Sequence, residues 1–398
     1  MLFLQLFGIV WLMRFDFATA TRIVFGDGSF REAAAQAASL KGRVLLVTGS
    51  MPERADPIIS ALLDKRVPYT PFAISGEPTV PAVVEGLQCA RKAQCMIVIG
   101  FGGGSAMDGA KAIAALMSNP GDPLDYLEVV GRGKPLTRPC APCICVPTTA
   151  GTGSEVTRNA VLVSPEHRVK VSLRSPGMFP LLAVVDPGLT RSLPPLITAS
   201  TGMDALTQLI EPFVSTGANP LSDAICREGI RRAALWLRPA VVDGSNPEAR
   251  ENMALASLFG GLALTSAGLG AVHGLAAPLG GMSSIPHGIV CACLLPFAIE
   301  ANVKALRERA KDSPALPRFD EIARLLTGSA SARAEEGVDW IKSMCTELGI
   351  PRLSSFGLAA EDLPPVAEKA QKASSMKPNP IRLSVEELTG ILETGVRN

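Results

Sequence analysis

The chain has almost no net charge, 38 basic against 37 acidic residues leaving +1 over 398 positions. No basic face accumulates, which excludes the electrostatic footprint that nucleic acid requires. The N-terminus is apolar over residues 1–12 but falls short of a membrane helix, which needs about 20 residues. The same stretch has no basic segment ahead of it, and Arg14 and Asp16 separate it from the small residues Ala18-Thr19-Ala20, so it reads poorly as a secretory signal. Residues 1–12 are expected to be an extension ahead of a protein that begins at Met13. Low-complexity linkers and internal repeats are lacking too. Nine cysteines form an odd set with no regular framework, and a chain of this length needs no disulfides to hold its core. The thiols are therefore expected to be reduced and the protein cytoplasmic. Cys140, Cys143 and Cys145 offer three thiols in an apolar stretch without a fourth ligand, which favours core cysteines over a zinc site. Histidine is scarce: His167, His273 and His287 are all there is.

What the chain does have is 47% hydrophobic residues and room for two sizeable domains. Residues 22–25, 43–48, 69–75 and 96–101 read as strands, and residues 30–40, 52–65 and 80–93 between them read as helices. Such alternation predicts an α/β unit with a mostly parallel sheet covered on both faces. After Asp186-Pro187-Gly188 the pattern changes, and helical stretches at 223–237, 248–266 and 339–348 dominate. The expected division is an α/β dinucleotide-binding domain over 13–190 and an all-helical domain over 191–398.

Two glycine turns stand out. In the first, an apolar strand runs into Gly100-Phe101-Gly102-Gly103-Gly104-Ser105 and then a helix. Three successive glycines let backbone approach a ligand closely, and the helix start supplies free N–H groups and a positive dipole end. Such a turn suits phosphate, although a bare strand-to-helix turn would look the same. The second, Pro147-Thr148-Thr149-Ala150-Gly151-Thr152-Gly153-Ser154-Glu155, adds hydroxyls for phosphate, ribose or an amide, and alone reads equally as a capped loop. A first-strand dinucleotide fingerprint is absent, because the glycine triplet follows a later strand.

Together and in this order, the turns closely resemble the hallmarks GGGSxxDxAK and PTTAGTGSE of the iron-containing (group III) alcohol dehydrogenase family. The resemblance continues through Lys170-Val171-Ser172, Val185-Asp186-Pro187, Thr201 to Leu206, and His273 to Gly288. It implies a dehydroquinate synthase-like fold. It also implies that Gly102, Gly103, Gly104, Ser105 and Asp108 hold the pyrophosphate side of a nicotinamide cofactor. Thr148, Thr149, Thr152, Asn159 and Lys170 would line its nicotinamide end, and Lys170 is the candidate catalytic side chain. At the end of the second strand an acid would pair with a ribose 2′-hydroxyl and repel a 2′-phosphate. Gly49 stands there where NAD-specific relatives often carry Asp, and Ser50 and Arg54 could meet a phosphate. NADP(H) is thus expected over NAD(H), with the alternative that Arg54 is a solvated helix-start residue.

By the same resemblance, one divalent metal would be held by Asp204, His273 and His287. The remaining family ligand position is Gln208 in place of His, and its i, i+4 spacing keeps it on the helix face of Asp204. A glutamine oxygen is a weaker, harder donor than imidazole, so zinc, manganese or nickel become alternatives to ferrous iron; the related glycerol dehydrogenases have similar three-ligand zinc sites. Ala277 replaces another His that many members carry, leaving water or ribose hydroxyls to move the alcohol proton. His167, between Glu166 and Arg168, reads as an exposed loop residue. The expected reaction is metal-assisted hydride transfer between the cofactor and a small carbonyl or alcohol, in a homodimer without membrane or nucleic-acid partners. Rival readings are a maleylacetate-reductase-like oxo-acid reductase, a dehydroquinate synthase-like lyase, and a cofactor-binding protein without turnover.

Overall fold

Strand and helix alternate as far as Val185, and the alternation builds a six-stranded parallel sheet. The computed structural model describes residues 14–167 and 169–397, so the expected extension at 1–12 and the start at Met13 lie outside the described residues. The strands are β1 (Ile23–Phe25), β2 (Arg43–Thr48), β3 (Tyr69–Ala73), β4 (Cys95–Gly102), β5 (Cys143–Pro147), β6 (Asn159–Ser164), β7 (Val169–Arg174) and β8 (Leu182–Val185). Their order in the main sheet is β1-β8-β5-β4-β2-β3, every neighbour parallel, while β6 and β7 form a separate antiparallel pair. Helices α1 (Arg31–Leu40), α2 (Asp56–Asp64), α3 (Val80–Lys92) and α4 (Gly104–Ser118), and the short α5 (Pro123–Tyr126), complete this half. The central strands β2, β4 and β5 are almost wholly buried apolar runs, as a sheet covered on both faces demands.

The strand expected at 69–75 stops at Ala73, shortly before Gly76 turns the chain at φ +72°. The helix expected at 52–65 is divided into a single turn, Pro52–Ala55, and α2, which carries Pro57 in its first turn. Proline lacks the N–H that a continuous helix would use there. Cys143 and Cys145 lie buried on β5, their sulfurs 3.9 Å apart, within the core that includes Leu45, Val98 and Met107.

Beyond Val185 the elements are helical: α6 (Pro195–Val214), α7 (Pro220–Val242), α8 (Pro247–Ala267), α9 (Ala271–Met282) and α10 (His287–Arg309), followed by helices at Ala315–Thr327, Ala334–Glu347, Leu363–Gln371 and Val385–Arg397. Their facing sides merge into one large apolar cluster. Among the described residues α10 alone is long and apolar enough to cross a membrane as a single helix, and 72% of its most apolar window is buried inside the protein.

The two halves meet where glycines remove side chains. Gly153 adopts φ +58°, and a Cβ there would lie 2.5 Å from Gly261 Cα on α8. Gly151 similarly faces Thr201 on α6, at 2.7 Å from Thr201 Cβ. The second glycine turn is therefore wedged between the sheet and the helices, and both glycine turns sit at the inter-half crevice.

Candidate active site

At the carboxyl ends of β2, β4 and β5 stand Gly49, Gly102 and Thr148. Strand β2 leads outward to β3 and β4 leads the opposite way to β5, so a crevice opens at their ends, where α/β sheets bind ligands. The first two turns are interlocked: the Thr148 N–H donates to the Gly102 carbonyl at 2.8 Å. A Cβ on Gly102 would lie 2.7 Å from Ala106 Cβ and 3.3 Å from the Gly49 nitrogen. On Gly104 it would lie 2.7 Å from Thr152 Cγ2, and on Gly103 it would touch Thr149. Gly103 is the N-cap of α4 and no side chain caps that helix, so its first N–H groups, at Gly104 and Ser105, face the crevice half-exposed.

Asp108 is already committed. Its carboxylate accepts from Ser154 Oγ at 2.5 Å and from the Val161 N–H at 2.9 Å, and pairs with Lys111 at 3.0 Å. Lys111, with no exposed side-chain surface, also donates to the Ser154 carbonyl at 2.9 Å and to Thr157 Oγ1 at 2.8 Å. These two side chains clamp the second turn onto α4. Asn159 opens β6 and borders a separate cleft with Arg158, Arg174 and Pro378, which none of the glycine-turn residues lines. Ser50 is exposed beside Gly49, whereas Arg54 donates to the Leu189 carbonyl and to Ser192 Oγ, each at 3.2 Å. His167 lies exposed in the β6–β7 turn, 2.8 Å from Ser164 Oγ.

The second cluster gathers Asp204 from α6, His273 from α9, and His287 with Cys291 from α10. One ligand atom from each of the four lies within 4.8 Å of all the others. Asp204 Oδ1 is 3.4 Å from His273 Nε2 and 3.7 Å from His287 Nε2. Asp204 Oδ1 and His273 Nε2 are buried without a hydrogen-bond partner, an expensive state unless another group completes them. Two neutral-capable imidazoles, a carboxylate and a thiol converging on one point fit a divalent cation. The Gln208 amide Nε2 donates to Asp204 Oδ2 at 2.9 Å, leaving Gln208 Oε1 buried and unpartnered.

Electrostatics follow from the packing. Burial alone would raise the Asp204 carboxyl, but His287 and His273 outweigh it and hold it below its ordinary value. Burial likewise opposes charge on His273, yet Glu211 and Asp204 prevail and push it up to about 10. His287 moves down to about 4, because loss of water around the ring and repulsion from His273 and Lys170 overcome the attraction of Asp204.

Glu211 escaped the sequence reading. Its Oε2 meets His273 Nδ1 at 2.6 Å and its Oε1 accepts the Val272 N–H at 2.6 Å, while Asn379 Oδ1 accepts the Ala271 N–H at 3.0 Å. Together they satisfy the start of α9 and set the His273 ring, with Nε2 aimed at Asp204. Glu211 follows Asp204 by seven positions, and Cys291 follows His287 by four. Those helical spacings were the available signals. Lys170 on β7 pairs with Glu77 at 2.5 Å and packs against Gly280 of α9, where any side chain would strike its ammonium. His273, Ala277 and Gly280 share one face of α9, which brings Lys170 to the helix face that carries His273.

Residues 20–187 match the family described as iron-containing alcohol dehydrogenase, and residues 198–396 match the C-terminal part of the same family. The chain belongs to the iron-containing alcohol dehydrogenase family. Among relatives of this iron-containing alcohol dehydrogenase, the 1,3-propanediol dehydrogenase of Klebsiella pneumoniae is 36% identical over 392 residues, 95% of this chain and 97% of that protein. Alcohol dehydrogenase 4 of Schizosaccharomyces pombe is 36% identical over 380 residues, 94% and 87% of the two chains. The solved structure of a 1,3-propanediol oxidoreductase superposes with a TM-score of 0.89 at 34% identity, covering 96% of this chain and 100% of that one. A sulfoacetaldehyde reductase from Bifidobacterium kashiwanohense, solved with NAD+, gives 0.85 at 31% identity, covering 96% and 99%. This iron-containing alcohol dehydrogenase is thus an NAD(P)-dependent oxidoreductase acting on CH–OH groups, an alcohol dehydrogenase or aldehyde reductase, and its family implies a divalent metal and a nicotinamide cofactor.

Proposed function

We propose that the protein reduces a small aldehyde or ketone with NADPH, or oxidises the matching alcohol with NADP+, at a divalent metal held by Asp204, His273 and His287. The observation that carries this is the pair of buried, unpartnered atoms Asp204 Oδ1 and His273 Nε2 beside His287. When bound, the cation supplies Lewis-acid polarisation of the substrate oxygen. Gly102, Gly103, Gly104 and Ser105 receive the pyrophosphate at the α4 N-terminus, and Thr148, Thr149 and Thr152 place the nicotinamide ring. Asp108 serves by clamping the second turn, as its three partners suggest.

A nicotinamide cofactor held by these turns would supply the hydride for the carbonyl carbon, and Lys170 Nζ, beside Gly280 on the His273 face of α9, would supply the proton to the oxygen. Lys170 stands in for the histidine absent at Ala277, with Glu77 fixing the position of its nitrogen at 2.5 Å. Lys170→Met is expected to lower kcat about 10²-fold with metal content unchanged, and a loss under about 3-fold would remove Lys170 from proton transfer.

Preference for NADP(H) rests on Gly49 and Ser50, which place no carboxylate at the end of β2. Arg54 contributes by bracing the segment after β8, through Leu189 and Ser192, and not as a free cation. Gly49→Asp is expected to cut kcat/KM for NADPH by about 10- to 100-fold through like-charge repulsion, while sparing NADH. An unchanged NADPH to NADH ratio would refute the assignment.

The nine free thiols support a cytoplasmic location. A homodimer is proposed with them: β1 pairs on one side only among the described residues, and light scattering gives the mass. The test of the whole reading is metal content of protein purified without added metal, with NADPH oxidation followed across a carbonyl panel. Activity that survives full chelation would end the metal role.

A further inference from the structure

We propose that the metal site of this chain is completed by the Cys291 thiolate, and that Gln208 positions Asp204 instead of acting as a ligand. The inference deepens the metal reading above and rests on it.

Geometry separates the two residues. Tetrahedral zinc bonds of about 2.0–2.1 Å to nitrogen or oxygen and about 2.3 Å to sulfur put neighbouring donor atoms roughly 3.3–3.6 Å apart. The observed edges are 3.4 Å between His273 Nε2 and Asp204 Oδ1, 3.7 Å between His287 Nε2 and Asp204 Oδ1, and 3.6 Å between Cys291 Sγ and His287 Nε2. These three edges lie at or within about 0.1 Å of that range, and all four donor atoms lie within 4.8 Å of one another, close enough to converge on one cation. Gln208 instead turns its amide nitrogen, which is a donor and not a ligand, toward the second oxygen of Asp204 at 2.9 Å. Reversing the amide would set its oxygen against the carboxylate oxygen, so the hydrogen-bonded orientation is the one that the site supports. That bond directs Oδ1, the unpartnered oxygen, to the histidines and the thiol.

Charge favours the same arrangement. Asp204 and a Cys291 thiolate put two negative charges in direct contact with a divalent ion, whereas the Glu211 carboxylate is held further out, on His273 Nδ1. Cys291 itself is completely buried in α10, one turn after His287, and fixed by the same helix. A thiolate softens the donor set, so zinc or cobalt should be retained over ferrous iron.

The test uses the full chain loaded with cobalt(II) or zinc. The cobalt protein should show a thiolate-to-cobalt charge-transfer band in the near ultraviolet. X-ray absorption at the zinc edge should show one sulfur at about 2.3 Å. Cys291→Ser should abolish the band and release zinc to a competing chelator at least about 10-fold more readily, while Gln208→Ala keeps the band. Thermal melts of both variants check folding, and if Cys291→Ser does not fold, the absorption spectrum of the unaltered protein decides. Cobalt bound without a sulfur signature, or a band that survives Cys291→Ser, overturns the proposal and leaves the Asp204, His273 and His287 site standing. Failure of the protein to bind cobalt or zinc at all overturns both.

Discussion

Asp204→Ala is expected to abolish metal binding and to lower kcat by at least about 10³-fold, corresponding to roughly 4 kcal/mol of lost transition-state stabilisation. No other side chain at the site makes as many of the decisive approaches: one of its oxygens faces His273 and His287, and the other receives Gln208. It is also the only carboxylate in the cluster of four donors. Removing it leaves two imidazoles and one sulfur to hold the cation, with Glu211 turned away to the far nitrogen of His273. Metal analysis and single-turnover hydride transfer should fail together while cofactor binding persists, since Asp204 bonds to Gln208 and approaches the two histidines and not the glycine turns. Gln208→Ala, which removes only the hydrogen bond that orients the carboxylate, should cost much less, on the order of 10-fold in metal affinity. Full metal content in Asp204→Ala would show that the cation does not depend on this carboxylate.

Gly153→Ala should destabilise the protein by about 2–5 kcal/mol. The backbone there is left-handed at φ +58°, which costs a residue with a Cβ roughly 1–2 kcal/mol. The new methyl would also lie 2.5 Å from Gly261 Cα and 2.8 Å from the Ser257 carbonyl oxygen, both backbone atoms of α8 that no rotamer change can move. Such overpacking adds about 1–3 kcal/mol. Because Gly153 lies between the second cofactor turn and the helical half, the mutation should also weaken cofactor binding. Gly390→Ala is the matched control, with open space around the new methyl on the C-terminal helix, and should stabilise by up to about 1 kcal/mol. Urea unfolding followed by circular dichroism reads both. A Gly153→Ala midpoint equal to that of the unaltered protein would show that α8 can yield at this crossing.

The α/β half was legible because each of its signals is local. Short β-branched apolar runs such as residues 43–48 and 96–101, alternating with helical stretches, fit covered strands, and the intervening helices carry one apolar face each. The helices that build the metal cluster gave weaker signals. From Thr198 to Val214, all but Thr201 are buried in α6, so its apolar and polar residues follow no 3.6-residue rhythm. Helices α9 and α10 are buried over most of their length as well, at 8 of 12 and 14 of 23 positions. Asp204, His273 and His287 were therefore found through scarcity of histidine and through family resemblance, not through periodicity. Glu211 and Cys291 were passed over, though each lies a whole number of helical turns from a residue already singled out.

Some roles depended on groups distant in the chain. The parallel sheet, the two glycine turns and the pair of histidines in the helical half were readable from the residues alone, because propensity, patterning and composition act over a few neighbours. The folded packing settles that Asp108 turns to Lys111 and Ser154, that Arg54 is bound to Leu189 and Ser192, that Glu211 meets the His273 ring, and that Cys291 lies among the cluster donors while Gln208 turns its amide nitrogen to Asp204. Each of those outcomes is a competition among hydrogen-bond partners brought together by burial, and a buried polar atom takes the partner that packing presents.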